Sequence, residues 1–144
     1  MKKLILVLSI SALAIFAAAC GKNKVDGKAP SDIPVEWATA MIQRDDASRV
    51  KLLQEKTKAL DPKQGPQNNE KLRGYQLTEW KASNDKYYYE IKFIDPVSGD
   101  GRTERMEIVK TDSGWKRTDF SNLKNFETLV SGLEPKVLKE MHEE

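Results

Sequence analysis

The apolar and polar positions divide the chain into stretches of different rhythm. Residues 4–19 form one continuous apolar run in which only Ser9 and Ser11 are polar. The stretch GKNKVDGKAPSDIP, 21–34, is nearly devoid of apolar side chains. It cannot bury enough surface to offset its ordering entropy, so a flexible spacer is expected there. From Val35 the apolar positions recur at helical spacing. PVEWATAMIQ has Pro34 as a starter and sets Trp37, Ala38, Met41 and Ile42 on one stripe. A second helix is predicted over DDASRVKLLQEKTKAL, with Asp45 or Asp46 as N-cap and Val50, Leu52 and Leu53 turned inward. Asp61-Pro62 is its expected end, and PKQGPQNNE a loop.

The rhythm then changes to period two. GYQLTEWKA and KYYYEIKFIDP read as strands joined by the turn Ser83-Asn84-Asp85-Lys86. Within the second, Tyr87, Tyr89, Ile91 and Phe93 share one face, and Tyr88, Glu90, Lys92 and Ile94 the other. PVSGDG turns the chain, and RTERMEIVK and GWKRTDF form a further pair around Asp112-Ser113-Gly114. Connections this short require antiparallel neighbours, so about four strands form a meander. Leu123, Phe126, Leu129, Val130 and Leu133 return to helical spacing, with Gly132 as a cap and Pro135 opening a short last helix. The expectation is an α+β domain, N-terminal helices over an antiparallel sheet, followed by a C-terminal helical tail.

Charge changes the picture only at the amino end. Lys2 and Lys3 precede the apolar run, which ends in small residues with no stop-transfer cluster, the pattern of an export signal. Without those two lysines the 24 basic residues fall to 22, equal to the 22 acidic ones. Charges of both signs alternate beyond residue 35, with no Lys/Arg cluster to follow a phosphate backbone, so no nucleic-acid partner is expected.

Cys20 is the only cysteine and sits where the apolar run stops. Ala17-Ala18-Ala19-Cys20 resembles the lipobox of bacterial lipoproteins, although Ala17 stands where that family prefers Leu. The resemblance implies cleavage before Cys20 and a diacylglyceryl group on its sulfur, which holds the protein at a membrane without spanning it. Gly21 follows in place of the aspartate that retains some lipoproteins at an inner membrane. Together with the Cys-Gly-x-x-Lys run, this implies the outer face of a Gram-positive cell membrane. The expected organisation is a signal peptide over 1–19, a lipidated cysteine and tether over 20–34 and one domain over 35–144. A coil of this length spans roughly 20 Å.

Two further stretches carry a resemblance. WATAMIQRDDASRVKLL is similar to the opening helices of nuclear transport factor 2-like, or cystatin-like, domains, and EIVKTDSGWKRTDF to their closing hairpin. The resemblance implies helices on a curved, cone-like sheet. The tail after Phe120 is longer than the simplest members need.

Candidate chemistry is sparse. His142 is the only histidine and lies near the carboxy-terminus, and with Cys20 committed to lipid neither a Cys/His pair nor a zinc site can be assembled. Asp95, Ser98 and Asp100 lie close together but lack the spacing of a calcium loop and read as a turn. Glu90 shares a face with Lys92, Glu107 with Arg105 and Asp119 with Arg117, and each carboxylate reads as a member of a cross-strand ion pair on a wet surface. No catalytic residue, metal or cofactor is assigned. Aromatic residues concentrate in the strands, and Tyr88, Trp80 and Tyr75 are the candidate contact surface, with Tyr88 facing away from Tyr87 and Tyr89. The expected function is a non-catalytic envelope binding module that takes a protein, peptide or small apolar ligand. A carboxylate-dependent enzyme and a purely structural envelope component are the alternatives.

Overall fold

The computed structural model describes residues 23–142, so Cys20 and the export signal lie outside the described residues. Helix α1 (Asp32–Gln43) begins two residues before the expected start. Asp32 accepts a hydrogen bond from the Ala29 amide at 2.8 Å, and Pro34 falls in the first turn, where its missing N–H would have had no intrahelical partner. Trp37, Ala38 and Ile42 are fully buried, as the stripe required. The helix ends on Arg44, which adopts a left-handed conformation with φ 55°.

Helix α2 (Asp46–Leu52) has Asp45 as its N-cap, whose carboxylate accepts from the amide and hydroxyl of Ser48 at 3.0 and 2.6 Å. The long second helix to Asp61 is corrected: α2 stops at Leu52 and Leu53 is extended. Leu53 forms a parallel bridge to Arg117, and the Gln54 amide donates to the Arg117 carbonyl at 2.8 Å. Pairing with the sheet therefore overrides local helix propensity. The polar loop that follows is laid over the end of α1. Gln67 N–H donates to Gln43 O at 2.8 Å, and Asn68 Nδ2 to Ile42 O at 3.0 Å. These groups occupy carbonyls that a helix end leaves open.

Strands β1 (Tyr75–Lys81), β2 (Lys86–Ile94), β3 (Gly101–Thr111), β4 (Gly114–Arg117) and β5 (Pro135–Lys139) form one antiparallel sheet, in the order β4-β3-β2-β1-β5. Register pairs Leu77 with Ile91, Tyr89 with Met106 and Ile108 with Arg117. One face thus gathers Leu77, Tyr87, Tyr89, Ile91, Phe93, Met106, Ile108 and Trp115 against α1. The molecule is α+β with a five-stranded antiparallel sheet.

The C-terminal helical tail is also corrected. Only α3 (Phe126–Val130) is helical; Leu129 is exposed, and Pro135 opens strand β5, paired with β1. Pro is tolerated at the start of an edge strand because the missing N–H can face solvent, and Lys136 and Lys139 charge that edge.

Between the two helices and the sheet lies a buried cation. Arg117 is 0 % exposed; its Nη1 donates to Glu104 at 3.0 Å and its Nε to the Asp119 carbonyl at 2.6 Å. Its guanidinium carbon lies 4.2 Å from the Trp37 ring centroid, and that of Arg49 lies 4.8 Å away. Burial pushes the Arg117 guanidinium down from its ordinary value, while Glu104 favours the charged form.

A second buried charge joins α1 to the far end of the sheet. Asp95 is 1 % exposed and accepts from Arg44 at 3.0 Å and from the Val97 amide at 2.9 Å. Burial raises its pKa, but the Val97 amide and Arg44 outweigh this and hold it below the usual carboxylate range.

Two outcomes follow. Trp37→Ala should lose about 3–5 kcal/mol in urea titration, and a loss below about 1 kcal/mol would show that the ring is not part of the core. Asp95→Asn should lose about 1–3 kcal/mol at neutral pH. Because the folded pKa is depressed, the wild-type advantage is present above the unfolded value of about 3.9 and disappears as the pH falls through the folded value. A stability difference that persists unchanged into strong acid would contradict the ion pair.

Candidate functional site

The aromatic residues singled out by the strand pattern do not form one surface. Tyr75 lies on the α1 side of the sheet, half-buried, with Lys139 Nζ 4.2 Å from its ring centroid. Trp80 and Tyr88 face each other across β1 and β2 on the opposite side. There α3 lays Phe126 over them, edge-on to Trp80 at 5.2 Å and to Tyr88 at 6.5 Å. Tyr88 is 7 % exposed, which corrects the expectation that it presents a free contact. Burial, then the neighbouring Glu107 carboxylate, pushes its phenol up. The alternation of faces was legible in the strand; the covering of the second face by a distant segment was not.

Glu90 and Glu107 stand in cross-strand ion pairs as expected, but Asp119 does not, because Arg117 is buried and bonded to Glu104. Glu90 accepts from Arg105 at 2.8 Å and lies 3.4 Å from Lys92, and Arg105 reaches Glu127 at 2.9 Å. Glu107 pairs with Lys86 at 3.6 Å. Asp119 is exposed and accepts from the Ser121 amide at 2.9 Å, and only its carbonyl meets Arg117. His142 is exposed. Among the described residues no cluster of His, Cys, Asp or Glu has the makings of a metal site, and no helix is long and apolar enough to cross a membrane.

The main concavity lies where the expected tether returns onto the domain. Residues 23–34 are docked, in contrast to the free spacer expected over 20–34. Val25 and Lys28 exchange two backbone hydrogen bonds, at 2.9 and 3.0 Å, around Asp26 and Gly27, both with positive φ. Asp-Gly at the two central positions is the strongest short hairpin signal, and it was present in the sequence. Upstream, Asn23 is held from two sides. Its carbonyl accepts from Trp115 Nε1 at 2.7 Å, and its amide nitrogen donates to the Tyr87 hydroxyl at 2.6 Å. Trp115 and Tyr87 stand edge-to-face at 5.6 Å.

This turn, α1, α2 and the start of β4 enclose a groove of about 520 Å³. Val25, Ile33, Ala40, Leu52 and Trp115 supply its apolar lining, and Asp26, Glu36, Lys28 and Lys51 stand among its polar residues. Lys28 is tied to Glu36 at 2.8 Å, and Lys116 reaches the Lys51 carbonyl at 2.6 Å. Asp45 also lines the groove, but both its oxygens serve the α2 cap. A smaller hollow of about 160 Å³ beside Asn23 is lined by Pro30, Glu79 and Tyr87. Glu79 accepts from the Tyr89 hydroxyl at 2.6 Å; burial, then this carboxylate, raises the Tyr89 pKa and keeps the phenol protonated. The groove is thus apolar in much of its lining and flanked by charges of both signs.

Phe126→Ala should lose about 3–5 kcal/mol in urea titration, since it strips the cover from Trp80 and Tyr88. A change under about 1 kcal/mol would return those aromatics to the role of a free surface. No family model, curated protein or solved structure matches this chain.

Proposed function

We propose that this protein is a lipid-anchored lipoprotein on the extracytoplasmic face of a Gram-positive cell membrane, whose domain binds a peptide, a protein segment or a small apolar ligand without transforming it. The finer fold in this reading is a nuclear transport factor 2-like one, with α1 and α2 seated on a curved sheet. Support for the anchor comes from Ala17-Ala18-Ala19-Cys20 behind the apolar run. The observation that carries the binding reading is the groove of about 520 Å³, apolar in its lining and flanked by charges. A carboxylate enzyme would want a desolvated acid free to exchange a proton. Among the described residues the buried carboxylates are Asp45 and Asp95, and these are instead held by the Ser48 cap and by Arg44.

Cys20→Ser should leave an uncleaved precursor or a released soluble protein. Mature-length protein remaining in the membrane fraction would remove the anchor reading. For the groove, a photo-crosslinking residue at Thr39 should capture a partner in intact membranes, and the same residue at the exposed Ser98 should not. Thr39→Trp, which fills the groove, should abolish rescue of a deletion phenotype while circular dichroism stays unchanged. Full rescue by that variant would exclude the groove as the working site.

A further inference from the structure

The docking of Asn23 sets how far the domain can stand from an anchor at Cys20. Asn23 is clamped by Trp115 and Tyr87, which are 3 % and 2 % exposed, so its position is set by the core. Only Gly21 and Lys22 separate it from Cys20. Three Cα steps cannot exceed about 11 Å even fully extended, half the roughly 20 Å typical of the full spacer as a free coil.

The clamp also selects an end of the molecule. Tyr87 is the second residue of β2 and Trp115 the second of β4, so Asn23 sits at the end of the sheet that carries the turns at 82–85 and 112–113. The other end, with the turn at 95–100, lies seven residues further along β2, about 23 Å away.

We propose that the sheet end carrying residues 82–85 and 112–113 is a membrane-facing surface, held against the lipid headgroups by the two-residue leash. The groove then opens beside the bilayer, and the 95–100 turn points outward. This rests on the reading of Cys20 as the lipid anchor. The occupant of the surface is the bilayer itself because the leash leaves no room for a folded partner between them. Charge does not produce the contact: Lys24, Lys81 and Lys110 are interspersed with Asp26, Asp85 and Asp112. The attraction of each lysine for anionic lipid, about 1 kcal/mol, is thereby largely cancelled. The orientation is mechanical and should be insensitive to salt.

The test uses the full chain, processed by the cell, with lipid on Cys20 established by mass spectrometry. The lipidated thiol is blocked, so an introduced cysteine labels uniquely. Asn84→Cys, Ser113→Cys and Ser98→Cys, all at exposed positions, carry a bimane fluorophore. Each is reconstituted in phosphatidylglycerol/phosphatidylethanolamine vesicles containing a headgroup spin-labelled lipid. Quenching should be several-fold stronger at 84 and 113 than at 98, equally in low and high salt. A long Gly/Ser insertion between Lys22 and Asn23 should erase the difference. Equal quenching at the three sites with lipid confirmed on Cys20 would overturn the orientation and leave the anchor standing, as would a difference that high salt abolishes or the insertion leaves intact. A Cys20 free of lipid would overturn the anchor reading and the proposal with it.

Discussion

The fold depends on a cation held beneath an indole. Arg117 lies at the contact of α1, the exit of α2 and the sheet, with its guanidinium 4.2 Å from the Trp37 ring. Its carbonyl receives the chain leaving α2, its Nη1 engages Glu104 on β3, and its Nε fixes the turn after β4. Burying an arginine is unfavourable unless it is paired and hydrogen-bonded. Here one carboxylate, one carbonyl and one aromatic face share that task, and Nη2 is left without a hydrogen-bond partner. Arg49 lies near the same ring and near Phe120, balanced by Asp46 at 3.6 Å. Two guanidiniums beside one indole repel each other, and the two acidic partners offset that repulsion.

One face of the sheet is closed and the other is covered in part. On one side α1 supplies the cover, and the loop after α2 seals the end of α1 with side-chain and backbone hydrogen bonds. On the other side the chain crosses beneath the sheet after β4. Asn122 and Leu123 bond to the edge of β3, Phe126 lands on Trp80 and Tyr88, and β5 then pairs with β1. The groove of about 520 Å³ lies on the rim, where the Val25/Lys28 turn meets α1 and β4. The segment that lines the groove is the same one that leads toward Cys20, so the position of Asn23 fixes both the groove wall and the start of that lead.

Much was legible from residue order alone. The first four strands, their turns, the Asp45 cap, the burial of Trp37 and the inward face of Tyr87, Tyr89, Ile91 and Phe93 follow from periodicity and turn chemistry, which act over a few residues. What the tertiary structure decided were the choices between helix and strand for short apolar runs, and the fate of polar segments. QEKTKAL has good helix formers, yet Leu53 pairs with Arg117, 64 positions away. PKVLK has no decisive period and becomes a strand because the β1 edge offers unpaired donors and acceptors. Tyr88 points away from the core, as alternation requires, but is buried because Phe126 arrives from a distant part of the chain. Residues 23–34 lack an apolar core of their own and are ordered by Trp115 and Tyr87, whose donors and acceptors are supplied only once the sheet has formed. Local chemistry therefore determined the parts, and long-range hydrogen bonding and burial determined where they end and what they cover.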